Sequence, residues 1–286
     1  METIKTYRYV RLAMVGLVVA ILAAMLIAES RSAGGFEGSV SYYYYTPARG
    51  VFAAALLAIG VCLICVRGGN TLEDVLLNVA GMLAPVVALV PTPPSDGDPN
   101  LAALVADREA AVRNNFPALL LVGVFAALVL VLLLVLAYVK NEEKPSRWDL
   151  LGFVLAMAVV LAAYLWYRCD QDSFFTGAHF TAAIGMFVCI AITAIADGLL
   201  AMREQGKKTR GRFYIAIGAG MLVIGGGIIG YNELIHPWKH AVLQAELVLI
   251  LLFAVFWAMQ TADLWNHTSR KEAIAHEAAQ AALAAG

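Results

Sequence analysis

A chain of 286 residues that is 61% hydrophobic and 14% charged, with mean hydropathy +0.76, is too apolar for a soluble globule, so lipid must be the solvent for most of it. The net charge of −1, with no Lys/Arg block interleaved with aromatics, excludes a nucleic-acid binder and gives no ground for an acidic partner. The four cysteines build no disulfide framework, because Cys62, Cys65 and Cys189 lie inside apolar runs and only Cys169 is near an aqueous boundary.

Eight apolar stretches follow one another, at 12–28, 51–66, 75–91, 116–139, 149–167, 178–200, 213–232 and 241–262. Roughly 20 helical residues, at about 1.5 Å each, cross the hydrocarbon of a bilayer. The pattern predicts an all-α fold: a polytopic transmembrane helical bundle of about eight helices forming a single domain over 1–265, followed by a cytoplasmic tail at 266–286. The first stretch has the basic start and small terminal residues of a signal peptide. It is longer than a usual h-region, and its loss would leave an odd number of spans, so we count it in the bundle.

The second and third stretches are short, and the third contains Pro85 and ends at Pro91. Cys62 and Cys65 have redox-motif spacing but sit in hydrocarbon, where they pack. Segment 93–115 opens as a Pro/Asp/Gly turn, and Leu101, Leu104, Val105 and Val112 then share one helical face, predicting a short helix on the outer surface. In the glycine-rich seventh stretch, Gly226 and Gly230 form a small-xxx-small pair for close helix packing. The Ala-rich tail reads as a frayed helix without a usable motif.

With the spans alternating sides, one side collects 14 of the 20 Lys and Arg residues and the other 6. The positive-inside rule makes the richer side cytoplasmic, so both termini are expected there and the protein in the cell membrane.

Polar residues at membrane depth are costly, and their positions are the functional signal. Tyr42, Tyr43, Tyr44 and Tyr45 fit an aromatic belt at headgroup level or, with Arg49 as a phosphate partner, a lipid-headgroup site. His236 and His240, at i and i+4 around Pro237, have the spacing for two imidazoles on one zinc ion, with His179 or an acidic group completing the shell. The other reading is a pair of interfacial histidines beside Trp238 and Lys239. Glu246 lies nearly two turns inside the eighth helix and must find donors, which Arg49, His179 or a tyrosine hydroxyl can supply. Asp197, near the inner end of the sixth stretch, is expected to pair with Arg203 or to cap a neighbour. Nucleotide-binding, serine-hydrolase, metalloprotease and haem-attachment motifs are absent.

The segment SVSYYYYTPARGVF, the Arg-Gly turn, Glu73 and Asp74, Pro91-Thr92, His179-Phe180, Glu246 and Trp257 together resemble a family of uncharacterised bacterial multipass membrane proteins. The resemblance runs over nearly the whole chain and implies a multipass fold without a known activity. The His pair at the start of the last helix is similar to the CREST superfamily of alkaline ceramidases and adiponectin-receptor-like proteins, seven-helix zinc amide hydrolases. It implies zinc ligation by His236 and His240, although the second-helix Asp of that superfamily has no counterpart at 51–66.

The leading expectation is a bundle that binds or senses membrane lipid in an outward-facing polar pocket lined by Tyr42, Tyr43, Tyr44, Tyr45, Arg49, His179 and Glu246. A second reading is a metal-dependent membrane lipid or amide hydrolase, with His179, His236 and His240 on zinc and Glu246 or Asp172 as general base. A third is a proton-coupled carrier of small solutes with Glu246 as the titrating group.

Overall fold

The computed structural model describes residues 2–32, 35–95, 98–140, 147–204, 206–234 and 240–285, and no strand occurs among them. In chain order come α1 (Glu2–Arg31), a 3₁₀ helix (Ser41–Tyr45), α2 (Arg49–Cys65), α3 (Thr71–Leu89) and α4 (Leu101–Val139). Then follow α5 (Arg147–Cys169), α6 (Gln171–Ala201), α7 (Lys208–Leu234), α8 (Ala241–Asp263) and α9 (Arg270–Ala285). Each apolar stretch falls on one of α1 to α8. Among the described residues, six helices, α1, α3, α4, α5, α6 and α8, are long and apolar enough to cross a bilayer. The 17-residue α2 is apolar but short, and α7 opens with Lys208, Arg210 and Arg212. The chain is an all-α integral membrane protein, as expected where every backbone N–H and C=O must be satisfied within its own segment.

Two local features differ from the sequence reading. The segment expected to form a separate surface helix runs unbroken into the following span. The resulting α4 has 39 residues, about 58 Å or nearly twice the hydrocarbon thickness. Pro117 sits within it, since a proline removes only one ladder bond when its neighbours hold the helix. The face of Leu101, Leu104, Val105 and Val112 is the packed one, and Arg108 lies buried on it. The glycine prediction also needs a shift of position. Around Gly226 there is open space, whereas Gly211 and Gly218, one heptad apart, meet α6: an added Cβ on Gly211 would lie 2.6 Å from the Gly198 carbonyl, and one on Gly218 would strike the Ala191 carbonyl. The close approach expected of α7 is made by its first half against α6.

The chain divides into two compact units, with boundaries inside α3 at Pro85 and inside α6 after Ala182. In the first unit (1–84 and 183–286), α1 packs on α2 and α8, and α7 packs on α8. Met14, Val18, Ile21 and Met25, at three- and four-residue spacing, form the buried stripe of α1, and α8 contributes Phe253, Phe256 and Trp257. The start of α3 is capped reciprocally: Asn70 Oδ1 accepts the Glu73 N–H at 3.1 Å, and the Glu73 carboxylate accepts Asn70 Nδ2 and the Gly69 N–H, both at 2.7 Å.

The second unit (85–182) has an aromatic core of Phe116, Phe174, Phe175, Trp166 and Tyr167, with Phe116 and Phe174 centroids 4.5 Å apart. Two buried side chains from α4 and α6 hold the carbonyls that α3 leaves open at its end: Arg108 Nε donates to the Pro91 carbonyl at 2.9 Å, and His179 Nδ1 lies 2.7 Å from that of Val90. Satisfying the orphan carbonyls of a helix end from neighbouring helices is the role these two residues have here.

Candidate functional site

The polar segment between α1 and α2 is folded onto the first turns of α8. The Leu243 N–H donates to the Gly38 carbonyl at 3.1 Å. Half-buried Glu246 accepts the Val40 N–H at 2.6 Å and the Ser41 hydroxyl at 2.9 Å, so its carboxylate caps the start of the 3₁₀ helix. Neutral donors from this loop thus occupy the place that the sequence reading gave to Arg49 or His179. Arg49 donates to the Tyr44 hydroxyl and lies 4.1 Å from that ring. A half-buried carboxylate held by backbone and hydroxyl donors needs no cation beside it.

The four tyrosines have different tasks because a 3₁₀ turn sends successive side chains about 120° apart. Tyr43 and Tyr44 are buried, while Tyr42 and Tyr45 are half-buried with ring centroids 5.2 Å apart. The Tyr43 hydroxyl donates to Glu29 at 2.7 Å and also receives the Glu37 backbone N–H. Burial, followed by the bond to Glu29, holds the Tyr43 phenol well above its ordinary value, so it stays protonated as a donor.

Between α1 and this segment lies a groove of about 620 Å³. Its α1 wall is Ala20, Ala23, Ala24 and Ile27, a face at helical spacing whose small side chains leave the hollow, and Val51 of α2 adds to it. At the far end of α1 the lining becomes polar: Glu29, Arg31, Glu37, Tyr43 and Thr46. From Ala20 to Ala28 the apolar part rises about 12 Å, most of the roughly 15 Å hydrocarbon depth of one leaflet, and the polar end lies beyond it. Of the expected lipid-contacting residues the groove includes Tyr43 and Tyr45; Tyr42, Tyr44, Arg49 and Glu246 do not line it but shape the segment that does.

The other candidates fall in different units. Asp172 is exposed in the first turn of α6, where the helix dipole favours a carboxylate, and belongs with His179 to the second unit. His240, in the first unit, precedes α8 as its N-cap residue, and its Nδ1 is buried without a partner among the described residues. His236 lies outside the described residues. Among those described, no group of three His, Cys, Asp or Glu side chains is placed to hold a metal ion.

Comparison with known protein families, with characterised proteins and with solved structures finds no match for this chain. What the sites do has to be read from their own chemistry.

A buried ionic cluster among the described residues is one that the sequence reading missed. Arg270, 0% exposed at the start of α9, forms ion pairs with Asp197 at 2.6 Å, Glu204 at 2.7 Å and Asp263 at 3.0 Å, and its guanidinium lies 5.2 Å from the Tyr214 ring. Asp197 therefore pairs with Arg270 in place of the expected Arg203. Burial alone would depress the Arg270 pKa, but the carboxylates of Asp197 and Glu204 overcome it and raise the value above normal. Tyr214 donates to Asp263 at 3.1 Å, Arg210 also bonds Asp263, and Lys207 bonds Glu204. Nearby, buried Arg11 of α1 donates to the Thr268 carbonyl at 2.5 Å, and Arg8 to that of Trp265 at 2.8 Å. The first turn of the tail expected to fray is thus locked into the first unit. The available signal was Asp197 itself, a carboxylate in an apolar run that required a counter-charge from somewhere.

Proposed function

We propose that this chain is a multipass protein of the cell membrane, with both termini in the cytoplasm, that binds a membrane lipid in the groove between α1 and the 3₁₀ segment. The observation that carries this reading is the groove itself: apolar along about 12 Å of α1, most of one leaflet's depth, and polar at one end, the polarity profile of a single lipid molecule. The orientation rests on the charge asymmetry of the loops and puts the polar end at the outer surface. The 3₁₀ segment, pinned by Glu246, forms the wall opposite α1 and gives the site a fixed shape.

Filling the hollow tests the binding. Ala24→Phe in the purified protein is expected to lower the amount of co-purifying lipid while the helical content and elution profile stay those of the parent. Unchanged lipid content would refute the groove as the site. For the orientation, in a cysteine-free background a cysteine at Asp172 should react with an impermeant thiol reagent in intact cells and one at Lys208 should not. The reverse pattern inverts the topology.

A further inference from the structure

Resting on the lipid-groove reading, we infer that the groove selects its ligand by headgroup: it takes a zwitterionic phospholipid whose ammonium retains N–H donors, of the phosphoethanolamine type, in preference to anionic or quaternary-ammonium lipids. The polar end presents two carboxylates, Glu29 and Glu37, and one guanidinium, Arg31. That set complements a headgroup carrying a phosphate and an ammonium together, the phosphate meeting Arg31 and the ammonium meeting the carboxylates. A net negative rim disfavours a headgroup whose only charge is its phosphate. Glu29 adds a second argument: Oε2 is taken by Tyr43, but Oε1 is buried with no partner among the described residues. An acceptor left in that state is costly, and a donor that enters the groove beside Glu29 relieves that cost. A primary ammonium has three N–H donors to give to Glu29 and Glu37, whereas a trimethylated one has none.

The test uses native mass spectrometry of the full chain in detergent, titrated with phosphatidylethanolamine, phosphatidylcholine and phosphatidylglycerol of identical acyl chains. The ethanolamine lipid should bind about tenfold more tightly than either of the others, the size of effect that one charge-assisted hydrogen bond gives. Glu37→Gln should remove most of that preference, lowering the affinity for the ethanolamine lipid several-fold more than that for the choline lipid, which loses charge attraction but no hydrogen bond. Glu29→Gln should do the same, with Glu37→Gln as the safer variant because Glu29 also holds Tyr43. Equal or tighter binding of the glycerol or choline lipid, or a preference that survives both substitutions, overturns the inference. Ala24→Phe separates the two levels. If it abolishes binding of all three lipids and none was preferred, only the headgroup assignment fails; if it leaves binding intact, the groove itself is not the site.

Discussion

At one end of the first unit Glu246 is half-buried against a backbone N–H and a hydroxyl from a loop, while at the other Arg270 is fully buried against three carboxylates supplied from α6, the turn after it and the end of α8. Both arrangements answer the same desolvation penalty, but with different mechanical results. Charges that come from rigid helices and compensate one another join α6, α8 and α9 into one block, because removing any partner strands a buried charge. Neutral donors from a connecting segment position that segment on α8 without committing a counter-ion. The Arg270 end joins helices, and the Glu246 end holds the 3₁₀ segment in place.

Four substitutions break or sharpen this contrast. The largest loss is expected for Arg270→Met, which leaves Asp197, Glu204 and Asp263 buried without their common cation. We expect about 3–5 kcal/mol of destabilisation by denaturant titration in detergent. A loss under about 1 kcal/mol, the range of exposed ion pairs, would mean that the cluster is solvated and does not join the helices. Glu246→Gln comes next. The amide keeps one acceptor but turns a donor toward the Val40 N–H or the Ser41 hydroxyl, for about 2 kcal/mol in the same assay. Should its cost equal that of Arg270→Met, a cation must share the Glu246 site and the contrast disappears. Ser41→Ala removes one neutral donor while the Val40 bond stays, for about 1 kcal/mol, and should loosen the 3₁₀ segment as measured by amide exchange at Tyr42 and Tyr43. The smallest effect belongs to Glu277→Gln. It removes the exposed 3.0 Å arm of Lys207, with an expected change under about 0.5 kcal/mol that alone among the four fades with added salt.

Some features were legible because they rest on local physics. The apolar runs are long enough to impose helices wherever water is absent. The need of Glu246 and Asp197 for partners was equally plain, since each interrupts an apolar run. The identity of those partners was not. Val40 and Glu246 are 206 residues apart, and Asp197 and Arg270 are 73 apart, so only the packing of helices brings them together. Arg270 itself sits in a polar, Ala-rich tail that looks solvated from its neighbours alone.

The glycines mark the same limit. Composition was enough to say that α7 packs closely, but a helix that is apolar nearly all round carries no polar face to fix its rotation, so Gly226 and Gly211 are equivalent on the page. The tertiary structure chose Gly211 and Gly218, because there the backbone of α6 comes within contact of α7. By itself the sequence determined an all-helical membrane protein, the order of its helices and which polar groups had to be satisfied, since the cost of an unpaired backbone or side-chain group in lipid is local and large. Which groups satisfy them, and the groove left beside the alanine face of α1, were decided by packing among helices far apart in the chain, where many pairings have similar local cost and only the whole bundle selects one.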